Sequence, residues 1–575
     1  MLNLIYKIKK IYNKYKRKNN LTKKIKVIYN KNNKYGDITI ILSNNDIIDY
    51  LLSKIKKYIL NYEIKNNYLN IYLNNNYYKN IINKFLIYKY NIYKIYKIKK
   101  YYKLIIIDYS SPNSNKPLHI GHLRNILIGN SLSNIFKFLG FKVIKSQIIN
   151  DRGIHICKSI VSWKLFYNCL KPDLNKIKGD HFVGKLYLKF EKELKKEIKK
   201  ISKKYNIDKK RAKKKSKLLK KVKNELRKWE NNNKKSILLW KKINSWFYKG
   251  LKKTYKKLNI KFNDTLYESK TYILGKKKIK EGIKKNIFFI DKNKSVYYLF
   301  KKKHKIILLR SDGTSLYITQ EIGTLLYRLK KYKKIYLLIY VVGNEQSFHF
   351  KVLFNIIKKL KIQINNNKLY HLSYNTVNFL GKKIKSREGK NIIFIDNLIT
   401  KMYKYVKIKF NNINNKKILK QISISTIKYQ FLKIKYNKII NFNFKKIFNL
   451  TGNTSLYIHY TYVRIYSILK KNKINEIFLI KKKYKDYIKR NEKDIIIDII
   501  KFHEILKKSA KYYDPSILIN YIFLLSKKIN NFYNKNKVLS NNKYKRNIRL
   551  NICKIILKIL YNSMKILNIP IINKI

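Results

Sequence analysis

The sequence predicts an α/β core built on a parallel sheet, preceded by a small α+β domain and followed by an all-α domain. Three observations carry this. First, an apolar β-branched run, Leu104-Ile105-Ile106-Ile107, leads through a Pro- and Asn-rich loop into an apolar-periodic helix. A Gly140 turn and a second apolar run, Phe141-Lys142-Val143-Ile144, follow. Strand–loop–helix–strand implies parallel pairing, with ligands beyond the carboxyl ends of the strands. Second, residues 335–342 are apolar without interruption, which fits a strand buried on both faces. Third, from 420 onward the period and length of the apolar pattern are helical.

Composition bounds the partners. The chain has 575 residues, five prolines and a formal charge of +105, nearly all of it lysine. A basic surface binds polyanions such as RNA. However, Lys, Asn, Ile, Tyr and Phe are all written by A/T-rich codons, and codon drift accounts for the larger share of the charge. Gly, Pro, Arg, His, Asp and Glu resist that drift. They cluster at 108–124, 150–157, 310–328, 341–349 and 381–389. Cys157, Cys169 and Cys553 have neither metal-site spacing nor a disulfide pattern, so a reducing compartment is expected. No apolar run reaches the roughly 18–20 residues of a membrane span. Residues 1–20 are basic, with neither a secretory apolar core nor an Arg/Ser-rich transit composition. A cytoplasmic protein without a membrane partner is the expectation.

Taken in order, residues 1–100 form the α+β domain. A helix is expected near its start, with strands at 39–42 and 68–73 and a Gly36-Asp37 turn. Residues 101–415 form the core, interrupted at about 165–265 by a charged helical insertion bearing Trp229, Trp240 and Trp246. That insertion is read as having no active groups of its own. Residues 416–575 are the helical domain.

The chemistry concentrates in Pro112-Asn113-Ser114-Asn115-Lys116-Pro117-Leu118-His119-Ile120-Gly121-His122. Two imidazoles flank a glycine where a helix begins, and free N–H groups there suit phosphate. This stretch resembles the HIGH signature of class I aminoacyl-tRNA synthetases, and the longer pattern through Leu123-Arg124 resembles the arginyl-tRNA synthetase version. Other stretches resemble the same family. Arg310-Ser311-Asp312-Gly313-Thr314, with Tyr317, Thr319 and Glu321, is similar to its RSDGTxxYxTxD block. Lys383-Ile384-Lys385-Ser386-Arg387 is similar to a degenerate KMSKS signature, with Ser386 at the second lysine position. Gly452 to Ile465 is similar to its GxTxxYxQYxxxRI segment, with His459 for Gln. Asn150-Asp151-Arg152-Gly153 matches a further segment, and Gly36-Asp37 and Asn70 weakly match the family's tRNA-contacting N-terminal domain.

The resemblance implies a Rossmann-like class I core and a two-step reaction. ATP activates L-arginine to arginyl-adenylate, and the arginyl group passes to the 3′ end of tRNA(Arg). His119, His122, Lys116, Lys383 and Lys385 are the implied catalytic groups, with Lys116 covering for the absent second signature lysine. His119, Gly121, His122, Ser386, Arg387 and His349 would bind ATP, Gly121 leaving room for adenine and ribose. Asp108, Asn113, His119, Tyr317, Glu321 and Gln346 would bind arginine. A guanidinium is a fork of donors that carboxylates match. The family more often has Glu at the Asp108 position and Asp at the Glu321 position. Mg2+ would come with ATP, with no protein metal cluster of its own, and a monomer is expected. Two alternatives stand beside this. One is a cysteine or glutamate class I enzyme, which would need a zinc site or a cationic pocket. The other is a non-catalytic RNA-binding relative.

Overall fold

The computed structural model describes residues 4–20, 25–30, 35–42, 47–174, 176–301, 304–332, 334–362, 369–379, 381–383, 393–443, 452–471 and 479–573. They form two compact units. One holds Tyr101–Ile447 and Tyr513–Pro515. The other holds Met1–Lys100, Phe448–Tyr512 and Ser516–Ile575.

The terminal unit begins with helix α1 (Leu4–Lys18), β1 (Lys26–Tyr29), β2 (Ile38–Ile41), α2 (Ile48–Ile55), β3 (Ile59–Lys65), β4 (Tyr68–Leu73), α3 (Asn75–Ile87) and α4 (Ile92–Tyr96). The strands form an antiparallel sheet in the order β1-β2-β4-β3. Helix α1 buries Leu4, Ile5, Ile8 and Tyr12, one face at helical spacing. Gly36 has φ +71°, and a Cβ there would lie 2.7 Å from the Ile71 carbonyl oxygen, so the turn requires glycine. The Asp37 carboxylate accepts from Leu73 N at 2.7 Å, and the buried Asn70 amide oxygen accepts from Thr39 Oγ1 at 2.6 Å. Both side chains are thus engaged within the fold.

The second unit carries β5 (Tyr101–Asp108), α5 (Ile120–Phe138), β6 (Phe141–Ile149) and α6 (Ile154–Phe166). The insertion follows as α7 (Gly179–Lys204), α8 (Lys209–Lys214), α9 (Lys217–Glu230) and α10 (Lys234–Lys257). Then come β7 (Asp264–Tyr267), α11 (Glu268–Lys284), β8 (Phe289–Ile290), β9 (Val296–Phe300), β10 (His304–Leu309), α12 (Tyr317–Lys331), β11 (Ile335–Gly343), α13 (Ser347–Lys359) and β12 (Leu369–Tyr374). The main sheet has the order β12-β11-β5-β6-β7, with every neighbouring pair parallel. Strand β5 is central, and Leu104 to Asp108 are buried in it. From β5 the chain builds outward through β6 and β7, then returns to the other side of β5 with β11 and β12. The switch point therefore lies between β5 and β11, where Asp108 pairs with Tyr340, the place at which open α/β sheets bind ligands. Strands β8, β9 and β10 add a small antiparallel meander not read from the sequence.

The unit ends with β13 (Val377–Phe379), β14 (Lys382–Lys383), α14 (Ile395–Lys409), α15 (Lys416–Leu432) and β15 (Ile440–Phe442). The helical stretch expected from 416 therefore divides, because α15 and β15 stay with the parallel sheet. Strand β15 pairs with β13, and the buried Lys428 of α15 donates to the Leu258 carbonyl at 2.7 Å. Arg124 of α5, fully buried, donates to four backbone carbonyls: Asn375 (2.6 Å), Thr376 (3.2 Å), Lys435 (3.0 Å) and Lys438 (2.7 Å).

The terminal unit resumes with α16 (Ser455–Lys471), α17 (Arg490–Lys511), α18 (Ser516–Lys535) and α19 (Lys543–Ile566). These helices pack on its α+β part. Arg490 Nη1 lies 2.8 Å from Asp37 Oδ1, Tyr96 donates to the Ile499 carbonyl at 2.8 Å, and Asn83 donates to that of Ile480 at 3.0 Å. On α16, His459 and Ile465 are core residues, whereas Tyr460 is exposed and Arg464 stacks on Tyr533, 3.6 Å from the ring centroid. No helix among the described residues is long and apolar enough to cross a membrane.

Candidate active site

Helix α5 follows the carboxyl end of β5, and the paired histidines build its cap. His119 is the N-cap residue, and its Nδ1 accepts from Gly121 N at 3.2 Å. His122 reaches back so that its Nδ1 accepts from His119 N at 3.2 Å. The rings lie 3.9 Å apart. An Nδ1 that accepts leaves the proton on Nε2, so each neutral ring presents one N–H donor. Burial, then the Lys116 charge, lowers the His119 pKa to about 3. Burial, the neighbouring imidazole and Lys116 hold His122 well below its ordinary value. Both therefore stay neutral at physiological pH, with Lys116 close by. A Cβ at Gly121 would meet the His119 ring at 3.0 Å, so the space above this glycine is filled first by His119 itself.

The loop before the helix is fixed from both sides. Asn150 N donates to the Pro112 carbonyl at 3.0 Å, and Ser114 N to the Asn150 carbonyl at 2.9 Å, so Asn113 is clamped at the end of β6. Asn125 accepts from Ser110 N at 2.6 Å and donates to the Val341 carbonyl at 2.5 Å, joining the ends of β5 and β11.

The ends of β5 and β7 carry a cluster of buried acids. Asp108 is buried at the end of β5 and ion-paired with the equally buried Arg328 of α12, which also donates to Ser146 Oγ at 3.1 Å. A solvent-facing strand end is thereby excluded. Tyr317 and Glu321 lie one turn apart on α12, as the spacing predicts. Burial, reinforced by the charge of Asp108, lifts the Glu321 carboxyl to about 7. Glu268, the first residue of α11 after β7, joins them. Burial and the charges of Glu321 and Asp151 raise its carboxyl well above the usual range. Asp108 Oδ1, Glu268 Oε2 and Glu321 Oε2 are buried with no hydrogen-bond partner among the described residues. Arg328 Nε and Nη1 are likewise buried without a partner among the described residues, so unmet acceptors and unmet donors sit together in this cluster.

Glu268 and Arg328 are absent from the sequence-based assignment. The signal was there for Glu268, a rare acid directly after a sheet strand. The insertion also contributes more than expected. Trp240 Nε1 and Asn244 Nδ2 donate to the Asp151 carbonyl at 2.6 and 3.2 Å. Glu230 pairs with Arg152 at 2.6 Å, and Arg152 stacks on Tyr272 with 3.7 Å to the centroid. Asn150 to Gly153 is thus an anchored segment rather than a simple turn. Gln346 is exposed in the turn after β11, and Tyr317 is exposed. His349 lies in the first turn of α13, its pKa lowered to about 4 by burial and then by His371. Lys385, Ser386 and Arg387 lie outside the described residues, and of Lys383 the backbone alone is described, paired with Asn378.

A parallel sheet whose switch point is faced by a histidine-capped helix start is the catalytic architecture of class I aminoacyl-tRNA synthetases. Comparison with known proteins narrows this. Residues 81–446 match the family described as tRNA synthetases class I (R), catalytic domain, and residues 458–575 match the DALR anticodon binding domain. The chain is 37% identical over 572 residues to an arginine–tRNA ligase of Borrelia turicatae, covering 94% of this chain and 92% of that protein. It is 35% identical over 492 residues to one from Parabacteroides distasonis, covering 83% and 82%. Its fold matches the arginyl-tRNA synthetase of Thermus thermophilus (TM-score 0.77, 17% identity, 99% and 100% coverage) and that of Plasmodium falciparum (TM-score 0.76, 24% identity, 99% of each chain). The chain belongs to the arginyl-tRNA synthetase family.

Proposed function

We propose that this protein activates L-arginine with ATP and transfers the arginyl group to the 3′ end of tRNA(Arg). The arginine carboxylate attacks the α-phosphate and pyrophosphate departs; the terminal ribose hydroxyl of tRNA then attacks the arginyl carbonyl, the acyl–phosphate bond breaks and AMP leaves. The supporting observation is that the carboxyl ends of the parallel strands carry two neutral imidazole donors at the start of α5 and a cluster of three buried acids whose free oxygens a single guanidinium does not fill. His119 and His122 donate from Nε2 to phosphate oxygens, and Lys116 neutralises the departing charge. Glu321 and Glu268 receive the guanidinium, while Arg328 holds Asp108 beside them. Lysine offers fewer donors and leaves buried acceptors unpaired, which penalises it. Lys383, Lys385, Ser386 and Arg387 complete the ATP side, and Asn113, Gln346 and Tyr317 the arginine side, by family pattern. Mg2+ enters with ATP, held by phosphate and water. The unpaired thiols of Cys157, Cys169 and Cys553 accord with work in a reducing cytoplasm, and we assign a monomer.

The test is arginine-dependent ATP–pyrophosphate exchange with tRNA(Arg) present, with lysine and citrulline as controls. Exchange with arginine alone supports the assignment. tRNA binding without exchange would return the protein to the non-catalytic alternative.

A further inference from the structure

One charged cluster lies outside every role assigned above. Asp396, in the first turn of α14, has both carboxylate oxygens engaged. Oδ2 meets the Lys178 ammonium, His181 Nε2 at 3.2 Å and Thr254 Oγ1 at 3.4 Å, while Oδ1 meets Lys257 Nζ at 2.8 Å. Lys178 also lies 3.1 Å from Asp180 Oδ2. Asp180, His181 and Asp396 offer ligand atoms within 4.8 Å of one another, the spacing of a small cation site. Two ammonium groups already sit on these carboxylates, so the chain supplies its own cations. The cluster is an ion-pair lock.

What it locks is specific. Ile393, Phe394 and Ile395 immediately precede Asp396, and their backbone pairs with the histidine segment. Ile120 N donates to the Ile393 carbonyl at 3.1 Å, Ile395 N donates to the Leu118 carbonyl at 2.9 Å, and His119 and Phe394 form an antiparallel bridge. The His181 ring packs edge-on against Phe394, with centroids 5.4 Å apart. The insertion also abuts the signature directly. A Cβ at Gly184 would lie 2.7 Å from Pro117 Cδ, and one at Gly250 would lie 2.3 Å from Asp180 Oδ1. Close approach of α7 and α10 thus brings Lys178, His181 and Lys257 onto one carboxylate.

We propose that Asp396 is a positioning residue for adenylate formation: clamped by Lys178, His181 and Lys257, it fixes residues 393–395 against Leu118–Ile120 and so fixes the His119 imidazole where it meets phosphate. Asp396 acts through the backbone bridge and touches no substrate. A misplacement on the order of 1 Å in such a cradle costs about 100-fold in rate. The helical insertion is thereby a brace for the paired histidines. The inference rests on the ligase assignment above.

The experiment uses the full chain. Wild type, Asp396→Asn and Asp396→Glu are compared in ATP–pyrophosphate exchange with tRNA present, alongside arginine affinity by calorimetry and thermal melting. The expected result is a 10- to 100-fold fall in kcat for Asp396→Asn, arginine affinity within twofold of wild type, and partial recovery in Asp396→Glu. Wild type lacking arginine-dependent exchange overturns the ligase assignment and the inference with it. An active wild type with Asp396→Asn within threefold in kcat overturns the inference alone. So does a kcat loss matched by equal losses of arginine binding and folded protein. Should Asp396→Asn not fold, Lys257→Met, which removes one half-exposed ammonium, is judged on kcat against arginine affinity by the same criteria.

Discussion

Arg328 reaches from α12 to the carboxylate of Asp108 at the end of β5, and both side chains are buried. The proposed arginine slot therefore contains one of the protein's own guanidinium groups. It neutralises one of three acids and leaves the others for the ligand. Breaking this pair leaves a buried charge uncompensated, which costs about 3–5 kcal/mol. Arg328→Met should lower the denaturation free energy by that amount in urea unfolding, and should impair arginine binding further than the stability loss explains. Arg328→Lys should recover only part of it, since both contacts come from one outer guanidinium nitrogen, which the shorter and more strongly hydrated ammonium must reach while fully buried.

With Glu321 in the proposed arginine slot, arginine recognition should depend on pH. Its carboxyl titrates near 7 in the arginine-free protein, and a guanidinium binds the ionised form. Arginine affinity should rise from pH 6 to pH 8, with at most about a tenfold change per unit below the titration point. Stability without arginine runs the other way. The folded protein holds this proton to higher pH than the unfolded chain, whose value is near the ordinary 4.5. The stabilising contribution is present in full below that value and is lost as pH rises through 7. Calorimetric titration and thermal melts across this range measure both.

Glu268 extends the slot beyond the family-pattern assignment of Asp108 and Glu321. Glu268→Gln and Glu321→Gln should each raise the arginine KM, on the order of 10-fold or more, and weaken discrimination against citrulline. The ATP KM should stay within about twofold. Exchange kinetics with both amino acids decide this.

His119 and His122 stay neutral throughout the working range, one titrating at about 3 and the other well below its ordinary value. At saturating arginine, kcat should show no inflection from either between pH 6 and pH 8. His119→Ala and His122→Ala should each lower kcat about 100- to 1000-fold, as removal of a preorganised donor to developing charge does. A pH–rate profile that bends near 6.5 in wild type and not in His119→Ala would contradict the tautomer assignment.

Much of the site was legible because its local parts are contiguous. The run from Pro112 to His122 specifies a loop, a cap and a helix start, and the structure builds a reciprocal cap from those residues. The spacing of Tyr317 and Glu321 set one helical face, and the apolar stretch before Gly343 set a buried strand. What stayed hidden depends on strand order. Asp108 and Arg328 meet only because β11 returns beside β5, and Glu268 joins because β7 ends at the same edge. The insertion was read as solvated lysine helices, since no local pattern says that Lys178, His181 and Lys257 converge on a residue more than a hundred positions later. The meander of β8 to β10 was missed because its strands are short and interleaved with lysines.

The fourfold carbonyl contact of Arg124 bears on how such a chain can change. An ammonium has three N–H bonds on one atom, so it cannot span four oxygens arriving from two separate loops. A genome that rewrites arginine codons as lysine therefore meets a limit set by reach at this position. Where backbone oxygens converge from several directions, only the planar five-donor head meets them all. At Arg124 it is the shape of the head group, and not its charge alone, that the surrounding backbone demands.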